Sequence, residues 1–155
     1  MNWALIGYGG MGRWHVRTLQ SMPELFTICG IYDIDEEKRM QAEKDGLHAY
    51  PTLDALLNDE KIELVTIATP NDCHRPLAIA AMAQGKHVIS EKPVTLSSLD
   101  LQAMIDASRE YGRIFSVHQN RRWDEDFRTI RKICESGKLG NVFRIESSRY
   151  NFRTT

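Results

Sequence analysis

The chain has 155 residues, of which 42% are hydrophobic and 26% charged, and its net charge is −1. That is enough for one domain with a substantial core, and a charge so near zero excludes a general attraction to nucleic acid or to an anionic membrane. Three cysteines, Cys29, Cys73 and Cys134, without paired spacing exclude a disulfide framework and a Cys-x-x-Cys zinc site and suit a reducing compartment.

Trp3–Ile6 is a short apolar run and reads as a buried strand. It passes directly into Gly7-Tyr8-Gly9-Gly10-Met11-Gly12, whose glycines have the spacing of the dinucleotide-binding fingerprint. Gly7 permits a tight turn, Gly9 lets the main chain approach a pyrophosphate, and Gly12 lets the next helix pack on the strand. The free N–H groups of that helix start face negative charge. Gly7, Tyr8, Gly9, Gly10, Met11 and Gly12 are therefore the first candidate cofactor contacts. A chain that begins at once with strand and glycine turn shows no signal peptide, and no apolar run approaches membrane-spanning length. A cytoplasmic location is the expectation.

Met11, Trp14, His15, Thr18, Leu19 and Met22 follow the spacing of one helix face, which Pro23 ends. His15 on that apolar face reads as a core histidine. Phe26–Tyr32 is the second strand. It ends at Asp33, at the offset of about 20 residues where a ribose-binding carboxylate is expected. Asp33 can accept from both ribose hydroxyls and would repel a 2′-phosphate, which favours NAD over NADP. Lys38 and Arg39 either turn toward a phosphate or belong to a solvated helix face. That charged helix spans residues 35–45, with Asp35 as N-cap and Gly46 as stop. Leu47–Tyr50 reads as a short strand and Leu53–Leu57 as a short helix.

Ile62–Ala68 is the next strand, closed by Thr69-Pro70-Asn71, and a helix from Asp72 to Gln84 ends at Gly85. His87–Ser90 is a strand that runs straight into Glu91-Lys92-Pro93. Ser97 with Asp100 resembles a capping box for a helix reaching Tyr111. Arg113–Val117 is a strand, and Trp123, Phe127, Ile130 and Cys134 mark a last helix that stops at Gly137. Val142–Tyr150 alternates apolar and polar residues and reads as a strand of a different, half-exposed sheet.

Continuous apolar strands alternating with helices predict an α/β fold, a doubly wound parallel sheet covered on both faces. Residues 1–120 form this domain. Residues 121–155 form a connecting helix and the first strand of an α+β domain that is otherwise absent from the sequence. The charge is uneven across that boundary. Residues 1–120 carry 11 Lys/Arg against 16 Asp/Glu, and residues 121–155 carry nine against five. The basic segment is either a solvated face or one that packs on an acidic surface or reaches cofactor phosphates.

In such sheets ligands bind beyond the carboxyl ends of the strands. Thr69, Asn71 and His74 after one strand, and Glu91 and Lys92 after the next, therefore join the candidate site. Lys92 is the residue expected to carry chemistry: its ammonium can hydrogen-bond a substrate hydroxyl and stabilise charge on the oxygen. His74 stands between cofactor contact and packing. His48 and His118 have no supporting context. Arg121-Arg122-Trp123 suits a substrate contact and an interdomain anchor equally. No metal site is expected.

GYGGMG, Ala68-Thr69-Pro70-Asn71 with His74, Glu91-Lys92-Pro93 and Asn120-Arg121-Arg122-Trp123-Asp124 together resemble the Gfo/Idh/MocA family, the glucose–fructose oxidoreductase and inositol dehydrogenase-like enzymes. The resemblance covers the whole chain, and Glu-Lys-Pro at this position is its most specific part. It implies an N-terminal Rossmann NAD(P)-binding domain and a dehydrogenase acting on a hydroxyl of a sugar, cyclitol or related small molecule. Lys92 matches the family's catalytic, substrate-contacting lysine, and the bond before Pro93 is expected to be cis. Family members are more than twice this length, and their second domain carries the substrate contacts, the Asp/His pair and the oligomer interface. The proton-transferring histidine of the family therefore has no counterpart here. None of His15, His48, His74, His87 and His118 is assigned that role. The expectation is a cofactor-binding half that turns over poorly alone, with a parent that is a homo-oligomer. Two other readings remain: a non-catalytic dinucleotide-binding or sensing module working with a partner protein, and a methyltransferase-like domain that takes S-adenosylmethionine.

Overall fold

Residues 1–148 are described by a computed structural model. Five apolar runs become the strands β1 (Asn2–Ile6), β2 (Thr27–Tyr32), β3 (Leu64–Ile67), β4 (His87–Ser90) and β5 (Phe115–Val117). All neighbours pair in parallel, in the order β2-β1-β3-β4-β5. The helices between them are α1 (Gly10–Gln20), α2 (Glu36–Lys44), α3 (Leu53–Leu57), α4 (His74–Ala83) and α5 (Ser98–Glu110). This is the doubly wound Rossmann sheet expected from the alternation.

The period of two along β1 separates the two faces. Ala4 and Ile6 join Val65, Ile67 and Val88 under Leu56, Met82 and Met104. Trp3 and Leu5 join Ile31 under Val16 and Ala42. Each large side chain buried in this way contributes about 1.5–3 kcal/mol relative to exposure. Thr66 is a polar residue on the Trp3 face, and it is tolerated because its hydroxyl accepts the Trp3 indole N–H at 2.8 Å.

Capping follows the sequence. Asp35 accepts the Glu37 N–H at 3.0 Å, and Ser97 accepts the Asp100 N–H at 3.4 Å. The first helix ends two residues before the expected Met22, with Ser21 as its cap. Leu47–Tyr50 forms no strand. It makes a single bridge, Ile31 with Ala49, in which Ile31 N–H donates to the His48 carbonyl at 2.9 Å and Tyr50 N–H to the Ile31 carbonyl at 2.8 Å. The approach is so close that a Cβ on Gly30 (φ +153°) would lie 2.5 Å from the His48 carbonyl oxygen.

The chain divides into two compact units after His118. In the second, a 3₁₀ turn (Asn120–Trp123) precedes helix α6 (Glu125–Glu135). Phe127, Ile130 and Ile133 of α6 are about half exposed. The strand expected at Val142–Tyr150 is not formed over residues 142–148, and Arg149 and Tyr150 lie outside the described residues, as does Phe152. A strand needs a ladder partner for its main-chain groups. Among the described residues none is paired with this segment. No helix among them is long and apolar enough to cross a membrane.

Candidate functional site

The chain leaves β1 toward β2 on one side of the sheet and reaches β3 on the other. The carboxyl ends of β1 and β3 therefore flank the crevice where such sheets take ligands. A cleft of about 610 Å³ lies there, walled by Gly7, Gly9, Asp33, Lys38, Thr69 and Cys73 among others. Gly7 sits at φ +98°, and a Cβ on it would lie 2.6 Å from the Ala68 carbonyl oxygen. A Cβ on Gly12 would lie 2.0 Å from the Gly7 oxygen, so only glycine lets α1 start this close to the strand. Gly9 differs: nothing lies within 4 Å of a Cβ there, and the free space belongs to the cleft. Gly9 caps α1 without a side-chain bond, and Arg13 is the first N–H bonded back to the Gly9 carbonyl. The first N–H groups of α1, from Gly10 to Gly12, therefore have no helical partner.

Asp33 is buried at the end of β2, and its carboxylate accepts Tyr8 N–H on Oδ2 at 2.7 Å and Asp35 N–H on Oδ1 at 3.0 Å. Each oxygen keeps further acceptor capacity toward the cleft. Lys38 Nζ stands 3.8 Å from both Asp33 Oδ2 and Asp35 Oδ2. Arg39 folds back and donates through Nη1 to the Asp33 and Ile34 carbonyls at 2.7 and 3.1 Å.

Two of the expected cofactor contacts have their polar atoms bonded within the protein, and a third keeps only its main chain near the site. His74 is fully buried, with one ring nitrogen 2.9 Å from the Thr69 carbonyl and the other 3.0 Å from that of Val94. Both ring nitrogens are taken, and the ring ties the Thr69 loop to the segment after Lys92. Glu91 is 4% exposed and is bonded entirely within the protein. The Tyr8 ring is buried and its hydroxyl donates to Asp45 Oδ2 at 2.7 Å, which with burial raises its pKa to about 12. Gly10, Met11, Asn71 and Lys92 are not walls of the cleft; Lys92 is exposed after β4, ahead of a cis bond to Pro93. Arg121 pairs with Asp124 at 2.8 Å within the second unit.

The sequence reading missed a cluster. His15 Nε2 and His118 Nδ1 approach the same oxygen, Glu91 Oε1, at 2.7 and 2.9 Å, and Lys92 N–H donates to Oε2 at 3.1 Å. Burial works against charge on both His15 and Glu91. At His15 burial wins and the pKa lies below its ordinary value despite the Glu91 bond. At Glu91 burial pushes the pKa up, but the bond from His15, the Lys92 N–H and the nearby histidines outweigh it and the carboxyl stays below its ordinary range. A carboxylate held on one oxygen by two imidazole rings results. A histidine at the second turn of a helix opened by the glycine motif, facing a Glu beyond a later strand, was the available signal.

The family profile described as "Oxidoreductase family, NAD-binding Rossmann fold" (GFO_IDH_MocA) matches residues 1–119. The chain belongs to the Gfo/Idh/MocA family. Among relatives in this family, it is 36% identical to the uncharacterized oxidoreductase YdgJ of Escherichia coli over 96% of this chain and 43% of that protein. It is 33% identical to the scyllo-inositol 2-dehydrogenase (NADP(+)) IolW of Bacillus subtilis over 94% of this chain and 41% of that protein. The crystal structure of an NAD-binding protein from Listeria innocua superposes with a TM-score of 0.86 at 48% identity, covering 92% of this chain and 42% of that one. The chain spans less than half the length of the relatives it matches. The family places an NAD-binding Rossmann domain over the residues that carry the glycine turn and Asp33.

Proposed function

We propose that this chain is the NAD(H)-binding half of an oxidoreductase that transfers a hydride between cofactor and a hydroxyl-bearing carbon of a sugar, cyclitol or related polyol. The observation that supports it is the cleft at the β1/β3 crevice, with open space at Gly9 on one side and the Asp33 carboxylate on the other. These residues fit the group. The unpartnered N–H groups of Gly10, Met11 and Gly12 suit a pyrophosphate, and Asp33 suits the ribose hydroxyls. Thr69 extends that wall after β3. NAD, when bound, supplies the hydride acceptor. Lys92 donates a hydrogen bond to the reacting substrate oxygen and stabilises charge that develops on it. It is the one catalytic residue assigned.

In this reading the proton-moving group lies in a substrate domain outside these residues, which the more than twofold greater length of the relatives supports. Residues 121–155 are, in this reading, the connecting helix and the opening of that domain. The scyllo-inositol for which the Bacillus subtilis relative is named supports the polyol class. Three free cysteines suit a reducing, cytoplasmic compartment, and in this reading the parent is a homo-oligomer that acts on a small molecule rather than on nucleic acid or a membrane.

Titration with NADH and NADPH, followed by nicotinamide fluorescence with S-adenosylmethionine as control, tests the reading. Saturable NADH binding with NADPH about tenfold weaker supports it and the ribose role of Asp33. Preference for NADPH moves recognition to Lys38 and Arg39. Binding of S-adenosylmethionine without NADH overturns it.

A further inference from the structure

We infer that Glu91 is the positioning residue of Lys92: its carboxylate is gripped on one oxygen by His15 and His118 and with the other holds the Lys92 main chain in place. This rests on the reading that Lys92 acts at the substrate oxygen.

The geometry ties three distant segments to one side chain. His15 comes from α1, just behind the glycine turn; Glu91 and Lys92 follow β4; His118 follows β5, where its own N–H donates to the Ser90 carbonyl at 2.9 Å. The two imidazole rings lie 4.7 Å apart, and Trp14 packs on both, at 5.2 Å from His15 and 5.7 Å from His118. The Glu91 side chain therefore cannot swing without breaking two bonds in a buried, crowded place. Its remaining oxygen meets the Lys92 N–H at 3.1 Å, at the residue whose side chain leaves the protein surface. The helix that would cradle the pyrophosphate and the lysine that would meet the substrate thus share one carboxylate.

The same three side chains could be taken for a metal site, since their ligand atoms lie within 4.8 Å of one another. The contacts favour hydrogen bonding. Ligands about 2.0–2.1 Å from a tetrahedral zinc stand about 3.3 Å apart. Glu91 Oε1 is 2.7 and 2.9 Å from the two nitrogens, which are hydrogen-bond lengths.

Glu91→Gln tests the inference, because an amide has one acceptor oxygen and cannot serve both ends. Amide hydrogen exchange is read on the purified chain. Exchange at Lys92 should rise about tenfold or more, while Val88 and Glu91, whose N–H groups donate to the Ile114 and Ile67 carbonyls, stay protected. His118→Gln, at a half-buried position, is the second variant should the first not fold; it loosens only Oε1 and should raise Lys92 exchange about threefold. Lys92 exchange equal to wild type in the folded variants overturns the inference, as does general loss of protection in β4, which marks a merely structural role. Stoichiometric binding of added zinc chloride that shifts the His15 and His118 resonances also overturns it.

The Lys92 reading is followed separately, by the NADH-induced shift of the ¹³C-dimethylated Lys92 signal in the unmutated chain. No shift there sinks that reading while leaving the exchange result intact.

Discussion

Two buried carboxylates stand at the carboxyl ends of strands, Asp33 after β2 and Glu91 after β4, and they are used in opposite ways. Asp33 takes one main-chain N–H on each oxygen and keeps a face on the cleft. Glu91 takes two imidazoles and a main-chain N–H and keeps no face on it. The same chemical group is a recognition element in one place and an internal fastener in the other. What differs is whether the donors come from the local turn or converge from remote elements.

The largest effect should come from removing the fastener. Glu91→Ala strands the buried His15 ring, the half-buried His118 ring and the Lys92 N–H, and should cost about 2–4 kcal/mol in urea unfolding, against about 1–2 kcal/mol for Asp33→Ala, which frees only two main-chain N–H groups. Equal losses would mean the two carboxylates play the same part. Next comes Gly9→Ala. With open space around the new Cβ it should change stability by less than about 1 kcal/mol, yet weaken NADH binding about 10–100-fold, or about 1.4–2.8 kcal/mol. Gly12→Ala should do the reverse and fail chiefly in stability, because its Cβ would lie 2.0 Å from the Gly7 oxygen. Asp33→Ala should weaken NADH about tenfold and leave NADPH nearly unchanged, read by fluorescence titration.

A smaller effect is expected from pH. His15 has a lowered pKa in the folded chain, so the unfolded chain binds its proton first, and stability falls as pH drops below about 6.5. Glu91 is lowered too, and its contribution is lost as pH falls below about 4.5. His15→Asn should flatten the upper part of that decline in a series of thermal melts, and Asp33→Ala should not. Smallest is Lys38→Ala. Its side chain is about half exposed and stands 3.8 Å from either carboxylate, so less than about 0.5 kcal/mol of stability should change.

The nucleotide side of the site was legible because its parts are local. Gly7, Gly9 and Gly12 sit in one turn, and Asp33 is a single strand away. Glu91 and His118 were not legible as a pair. Their meeting depends on β5 lying beside β4, and His15 reaches Glu91 across 76 positions of sequence. The bonds of His74 were not legible, because its place at a helix start says nothing of the two carbonyls on either side of its ring. The alternating pattern from Val142 gave a period without the partner that turns a period into a strand.

The bridge between Ile31 and Ala49 has a consequence for solubility. β2 is an edge of the sheet, and open edges invite another chain to add a strand. Here the chain covers that edge itself, because Ile31 spends both its N–H and its carbonyl on residues 48–50. Gly30, by admitting the His48 carbonyl so closely, makes the cover fit. The stretch after α2 thus acts as a guard against edge-to-edge aggregation on the side of the fold farthest from Lys92.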